Sequence, residues 1–101
     1  MIIRIDSAPG IQLIEQADLS KFKAVVDVAE NVLAQRIRET NGSLEMEGNV
    51  AVWVSRDWLL SQSGPSLSSG WQDEFDKMIV AARRHGYVDG RDRIRAHIER
   101  S

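Results

Sequence analysis

The spacing of the apolar residues changes repeatedly along the chain, and this limits the folds that the chain can adopt. Short stretches alternate apolar and polar residues, as strands do, and two longer stretches repeat apolar residues every three or four positions, as helices do. The predicted order is strand, strand, helix, strand, strand, helix, strand. Both helices have a single apolar face, so we expect an α+β fold: a two-layer sandwich with two helices on one face of an antiparallel sheet of four to five strands.

The first 40 residues contain a predicted hairpin and the first predicted helix. Ile3 and Ile5 alternate with polar residues, Pro9-Gly10 favours a turn or a wider loop, and residues 11–15 resume as a second strand. An apolar stripe at helical spacing then predicts a helix near 19–40. The stripe consists of Phe22, Val25, Val26, Ala29, Leu33 and Ile37.

A second predicted hairpin follows this helix. Leu44 and Met46 alternate with glutamates, Gly48-Asn49 accepts the positive φ of a tight turn, and residues 50–54 are mostly β-branched or aromatic. If Val50, Val52 and Val54 face the helices, Trp53 faces the other side of the sheet. The strand pattern therefore predicts a tryptophan on a sheet face that two helices leave open.

The remainder of the chain contains a serine-rich segment, a predicted helix and a last element that fits either a strand or a helix. A short turn is expected at 57–60, and residues 61–70 hold five serines, two glycines and one proline, which predicts a Ser/Gly-rich loop. Helical periodicity then predicts a helix near 70–85. Residues 91–99 alternate as a half-buried strand would, with an arginine-rich helix as the alternative.

Composition narrows the class of protein. A chain of 101 residues fits one domain, residues 1–101, and excludes a two-domain enzyme. The net charge of −2 argues against a basic nucleic-acid binder, although residues 83–101 carry six arginines against three acids. The absence of cysteine removes disulfides, thiolate nucleophiles and Cys-ligated zinc. We expect a soluble cytoplasmic protein, since no apolar run has the length of a signal peptide or membrane span.

Catalytic and cofactor motifs are sparse. No glycine-rich phosphate loop or nucleophile elbow occurs, and the two histidines, His85 and His97, are too few to predict a metal site. Glu45 and Glu47 share one face of a strand, which we interpret as a solvated face. The sequence thus predicts no catalytic residue, no metal and no cofactor.

Two groups of residues remain as candidates for binding. Trp53, with Trp58 five residues on, is a candidate interface with a second copy of the chain, because a large exposed apolar patch marks an interface or a ligand groove. Arg93 and Arg95 lie at period two beside His97, with Arg91 before them, and such a row grips carboxylate or phosphate. The same row would also serve simply to solvate an edge strand.

Three functions follow from these candidates. The favoured hypothesis is a non-catalytic accessory or interaction protein that forms a homodimer. The alternative is a binder of a small anionic ligand, or a minor enzyme, that uses the Trp53 face with Arg95 and His97. The third is nucleic-acid or anion binding through the arginine-rich segment 83–101.

Overall fold

The computed structural model describes residues 1–7, 10–63 and 69–100. The elements in these residues, in chain order, are β1 (Ile2–Ile5), β2 (Ile11–Ile14), β3 (Lys23–Val26), α1 (Glu30–Arg38), β4 (Leu44–Glu47), β5 (Ala51–Ser55), α2 (Arg56–Ser63), α3 (Ser69–Arg84) and β6 (Arg93–Arg100). No helix among the described residues is both long enough and apolar enough to cross a membrane.

The strands form one curled sheet with the order β2-β1-β3-β6-β5-β4. The β1–β3 and β3–β6 pairs are parallel, and the β1–β2, β4–β5 and β5–β6 pairs are antiparallel. The predicted α+β class is confirmed. The predicted details are not: the described residues contain three helices instead of two, and the sheet has six strands and is mixed rather than antiparallel with four to five.

The predicted helix at 19–40 is wrong in its first half, which contains β3. Ala24 and Val26 are fully buried and pair with Ile3 and Ile5 of β1, and Ala24 also pairs with Ile98 of β6. A short run rich in β-branched residues fits a buried strand as well as a helix, so periodicity alone does not separate them. The helix begins only after Ala29 and ends at Arg38.

The segment between β5 and α3 also differs from the prediction. The expected short turn at 57–60 lies inside α2, an eight-residue helix that follows β5 directly. The predicted Ser/Gly-rich loop at 61–70 is wrong at both ends, because residues 61–63 belong to α2 and residues 69–70 to α3. Its middle part, 64–68, lies outside the described residues.

The helix predicted near 70–85 is confirmed as α3 and ends in a left-handed cap. Gly86 has a φ of 77°, its backbone N–H donates to the Arg83 carbonyl at 3.1 Å, and the Tyr87 N–H donates to the Ala82 carbonyl at 2.8 Å. This pair of hydrogen bonds is a Schellman motif, which satisfies carbonyls that the helix end would leave unpaired. It also sends the chain back along the sheet toward β6.

The second predicted hairpin is confirmed, with a loop one residue longer than expected. Glu47 pairs with Ala51, so residues 48–50 form the loop, and the Val50 N–H donates to the Glu47 carbonyl at 3.2 Å. Val50 is 58% exposed and does not face the helices, whereas Val52 and Val54 are fully buried beneath them. Gly48 takes the positive φ that the turn requires, at 52°.

The last predicted strand is confirmed as β6, and it lies inside the sheet rather than at an edge. One side of β6 pairs with β5. On the other side Ile94 bridges to Val88, and from Ile98 onward the strand pairs with β3. Ile94 and Ala96 are buried, so the alternate positions of the strand point away from the core. The edge-strand interpretation of the arginine row is therefore wrong.

All three helices cover the same side of the sheet. The buried core contains Leu33 and Ile37 of α1, Leu59 of α2, and Phe75 and Ile79 of α3. The sheet supplies the other buried apolar residues, which include Ile3, Ile5, Val26, Leu44, Val52, Val54, Ile94 and Ala96. Helix on sheet buries one apolar face of each layer. In the part of the chain that the structure describes, no helix packs on the opposite side of β4, β5 and β6.

Candidate interaction surface

The side of β4, β5 and β6 that points away from the core is called the open face here. Its residues are Glu45 and Glu47 of β4, Ala51 and Trp53 of β5, and Arg93, Arg95 and His97 of β6, with Tyr87 and Asp89 beside β6. The register places Trp53 between Glu45 and Arg95. Strand alternation produces this face, because Val52 and Val54 occupy the core positions on either side of Trp53.

Glu47 connects the three strands of the open face. The Arg95 guanidinium donates to its carboxylate from Nε at 3.1 Å and from Nη2 at 3.0 Å, and the Trp53 indole Nε1 donates to Glu47 Oε1 at 3.0 Å. Two parallel hydrogen bonds between guanidinium and carboxylate fix the orientation of both groups. Trp53 is therefore held by its polar edge, and its ring belongs to a charged face rather than to an apolar patch.

Arg93 is enclosed by two carboxylates. Its Nε donates to Asp89 Oδ2 at 2.7 Å, and its Nη1 donates to Glu45 Oε2. Asp89 Oδ1 also accepts the backbone N–H groups of Arg91 at 2.9 Å and of Arg93 at 3.0 Å, which closes the turn before β6. The Arg93 side chain is only 14% exposed. Its charge is thus neutralised within the sheet and is not directed to solvent.

These ion pairs keep the carboxylates of the open face ionised. Hydrogen bonding from Arg95 lowers the pKa of Glu47, and hydrogen bonding from Arg93 lowers the pKa of Glu45. Burial opposes ionisation of Asp89, but hydrogen bonds from the backbone N–H groups of Arg93 and Arg91 and from the Arg93 side chain, together with the Arg93 charge, lower its pKa as well. A general acid or base works best when its pKa lies near the ambient pH. The arrangement is therefore suited to electrostatic recognition rather than to proton transfer at neutral pH.

Aromatic and imidazole rings extend the open face past β6. The Tyr87 ring is 46% exposed, and the Arg95 guanidinium carbon lies 5.9 Å from its centroid, within cation–π range. His85 stacks on Tyr87 with ring centroids 6.0 Å apart. His97 is exposed and lies 3.5 Å from Glu99, which Lys23 also binds at 2.8 Å.

The structure brings together most, but not all, of the predicted site residues. Trp53, Arg93, Arg95 and His97 share the open face, as the strand pattern predicts. Trp58 belongs to α2 and packs against the core, so it lies on the helix side of the sheet, away from Trp53.

Four residues of this surface were not among the predicted binding candidates. The sequence predicts a solvated strand face for Glu45 and Glu47, yet they bind Arg93 and Arg95 from another strand. Asp89 and Tyr87 carried no signal of their own, because their role depends on the bridge to β6. The sequence does contain one indication of this pairing: the two glutamates and the two arginines are each spaced two residues apart. Opposite charges at this spacing suit neighbouring strands.

Among the described residues no group of three His, Asp or Glu side chains is placed to hold a metal ion. Comparison of the chain with protein-family models, with curated proteins and with solved structures gave no match. The candidate functional surface is therefore the open face, in which the pairs Arg93–Glu45 and Arg95–Glu47 form a charged ladder around Trp53.

Proposed function

We propose that the protein is a non-catalytic interaction protein and that its open face binds a second copy of the chain. The observation that carries this proposal is the order of charge across the face. β4 contributes Glu45 and Glu47 at the edge of the sheet, β5 contributes Trp53, and β6 contributes Arg93 and Arg95. The face is acidic on one side, aromatic in the centre and basic on the other side.

This order is self-complementary under two-fold symmetry. A two-fold axis that runs along β5, between two copies packed face to face, places β4 of one copy over β6 of the other. By register, Glu45 of each copy then lies opposite Arg95 of the second copy, and Glu47 lies opposite His97 and diagonal to Arg95. The two Trp53 rings meet near the axis. Complementary potentials of this kind favour the correct partner and penalise others.

The residue types on the open face support an interaction role. Trp, Tyr and Arg are enriched at binding hot spots, and Trp53, Tyr87 and Arg95 lie side by side here. Glu47 already fixes Arg95 and Trp53, so association would immobilise little additional side-chain freedom. Because three short strands present less area than the roughly 800 Å² per partner of a stable complex, we expect a dimer of micromolar affinity.

The ion pairs of the arginine-rich segment favour this function over nucleic-acid binding. Arg93 and Arg95 are paired with carboxylates of the sheet, Arg83 lies 3.2 Å from Asp92, and Arg100 lies 3.5 Å from Glu30. Nucleic-acid affinity depends on cations that neutralise phosphates. Cations that already have acidic partners contribute less to such binding.

Sedimentation velocity over a range of protein concentrations tests the proposed dimer. The wild-type mass should rise from 11.4 kDa toward twice that value, and Trp53→Ser should remain monomeric with an unchanged far-ultraviolet circular dichroism spectrum. Val80→Ser is the matched control, because Val80 is 54% exposed on α3, in the helix layer, and should dimerise as the wild type does. A wild-type protein that stays at 11.4 kDa up to high micromolar concentration would contradict the proposal.

Charge reversal supplies a second test that does not depend on removing an aromatic ring. Glu47→Arg should abolish the dimer, because it places like charges in contact within and between copies. The double variant Glu47→Arg with Arg95→Glu reverses both partners and should restore association. If the double variant associates no better than the single one, charge order across the open face does not determine the dimer.

A further inference from the structure

We propose that a cavity beside β6 binds a small aromatic carboxylate. The cavity has a volume of about 410 Å³ and lies between the end of α3 and the side of β6 that is turned away from β5. Its lining consists of Phe22, Met78, Ala81, Ala82, His85, Tyr87, Ile94, Arg95 and His97. Ligand pockets of small molecules typically start at about 300 Å³, so a one- or two-ring acid is of suitable size.

The cavity exists because β6 changes its partner on this side. Toward its start β6 bridges to Val88 through Ile94, and toward its end it pairs with β3 from Ile98 onward. The two neighbouring segments do not meet, and Arg95 and His97 lie at the gap between them. The lining combines Arg95 and His97 of the open face with Met78 and Ala82 of α3, and the cavity lies across β6 from Trp53. The inference does not depend on the proposed dimer.

The walls of the cavity are apolar and aromatic. Phe22, Met78 and Ala82 pack against the core and are partly buried, and Ile94 at the base is almost fully buried. The stacked rings of His85 and Tyr87 form one side of the opening. Flat rings in the wall offer stacking and edge-to-face contacts to an aromatic ligand.

The polar side chains that line the cavity can donate hydrogen bonds to a ligand. Arg95, His85 and His97 line it, and no carboxylate is part of the lining. Glu47 binds Nε and Nη2 of Arg95, which leaves Nη1 without a partner among the described residues. An Arg–carboxylate hydrogen bond is stronger than a neutral one, so this free nitrogen favours an acid over an amide of the same shape.

A titration with 2-naphthoate, followed by chemical-shift changes of the backbone amides, tests the proposal. We expect shifts at Tyr87, Ile94 and His97, and at least tenfold weaker binding of 2-naphthamide, which has the same rings without the charge. Shifts confined to other parts of the chain, or equal affinity for the acid and the amide, would overturn the proposal.

Three variants test whether 2-naphthoate binds in the cavity or elsewhere on the surface. Ala82→Trp fills the cavity and should abolish binding of 2-naphthoate, and Arg95→Gln should weaken it at least tenfold while the amide is unaffected. Val80→Ser, outside the cavity on the same helix, should bind as the wild type does. Binding by Ala82→Trp at wild-type strength would refute the site. The titration is run at protein concentrations below and above the midpoint of dimer formation. A failure of 2-naphthoate binding is therefore distinguishable from a failure of dimerisation.

Discussion

Two valines that lie two residues apart provide a sharp test of the fold. Val52 is fully buried in β5, whereas Val50 is 58% exposed in the hairpin loop. Val→Ala removes two methyl groups, which is about 1.6 kcal/mol of transfer free energy at about 0.8 kcal/mol each. The void left in a packed core adds to this cost, so Val52→Ala should lower the free energy of unfolding by about 2–3 kcal/mol. Val50→Ala should change it by less than about 0.5 kcal/mol.

Urea denaturation measures this difference directly. With an m-value of roughly 1–2 kcal/mol/M for a small domain, the Val52→Ala midpoint should fall by about 1–3 M, and the Val50→Ala midpoint should barely move. Tryptophan fluorescence and circular dichroism should report the same midpoint if unfolding is two-state. Val54→Ala, at a position as buried as Val52, should resemble Val52→Ala. Equal shifts for Val50→Ala and Val52→Ala would refute the assignment of Val52 to the core and of Val50 to the exposed loop.

The remaining predictions concern the helix cap and the ion pairs. Gly86→Ala should destabilise the protein by roughly 1–2 kcal/mol because Gly86 has a φ of 77°, whereas Gly90→Ala, in open space and without a positive φ, should be within about 0.5 kcal/mol of wild type in thermal melts. The hydrogen bond from Arg95 lowers the pKa of Glu47 from its usual 4.5, so this contribution to stability is complete above pH 4.5 and is lost as the pH falls below it. Urea denaturation from pH 7 to pH 3 should therefore show a smaller loss of unfolding free energy for Arg95→Gln than for wild type. The same pH dependence in both proteins would contradict this expectation.

The local sequence determined those elements that depend only on turn residues and on the spacing of nearby apolar residues. The hairpin of β4 and β5 follows from turn residues between two alternating segments, and α3 follows from a long apolar repeat that ends at Gly86. The side of β5 on which Trp53 lies also follows from sequence, because side chains alternate along a strand. Each of these features depends on neighbours within about one turn of helix or one pair of strands.

Pairing between strands that are distant in sequence determined the structure where the local pattern fits more than one element. Residues 23–26 carry a run that suits either a helix or a strand, and β3 is a strand because β1 and β6 supply parallel partners on both sides. Arg95 and Glu47 are 48 positions apart in the chain, and only the register of β5 with its two neighbours makes them meet. Period-two spacing places a side chain on a face, but it does not specify which strand lies beside it. The charged ladder around Trp53 is for this reason a property of the folded sheet.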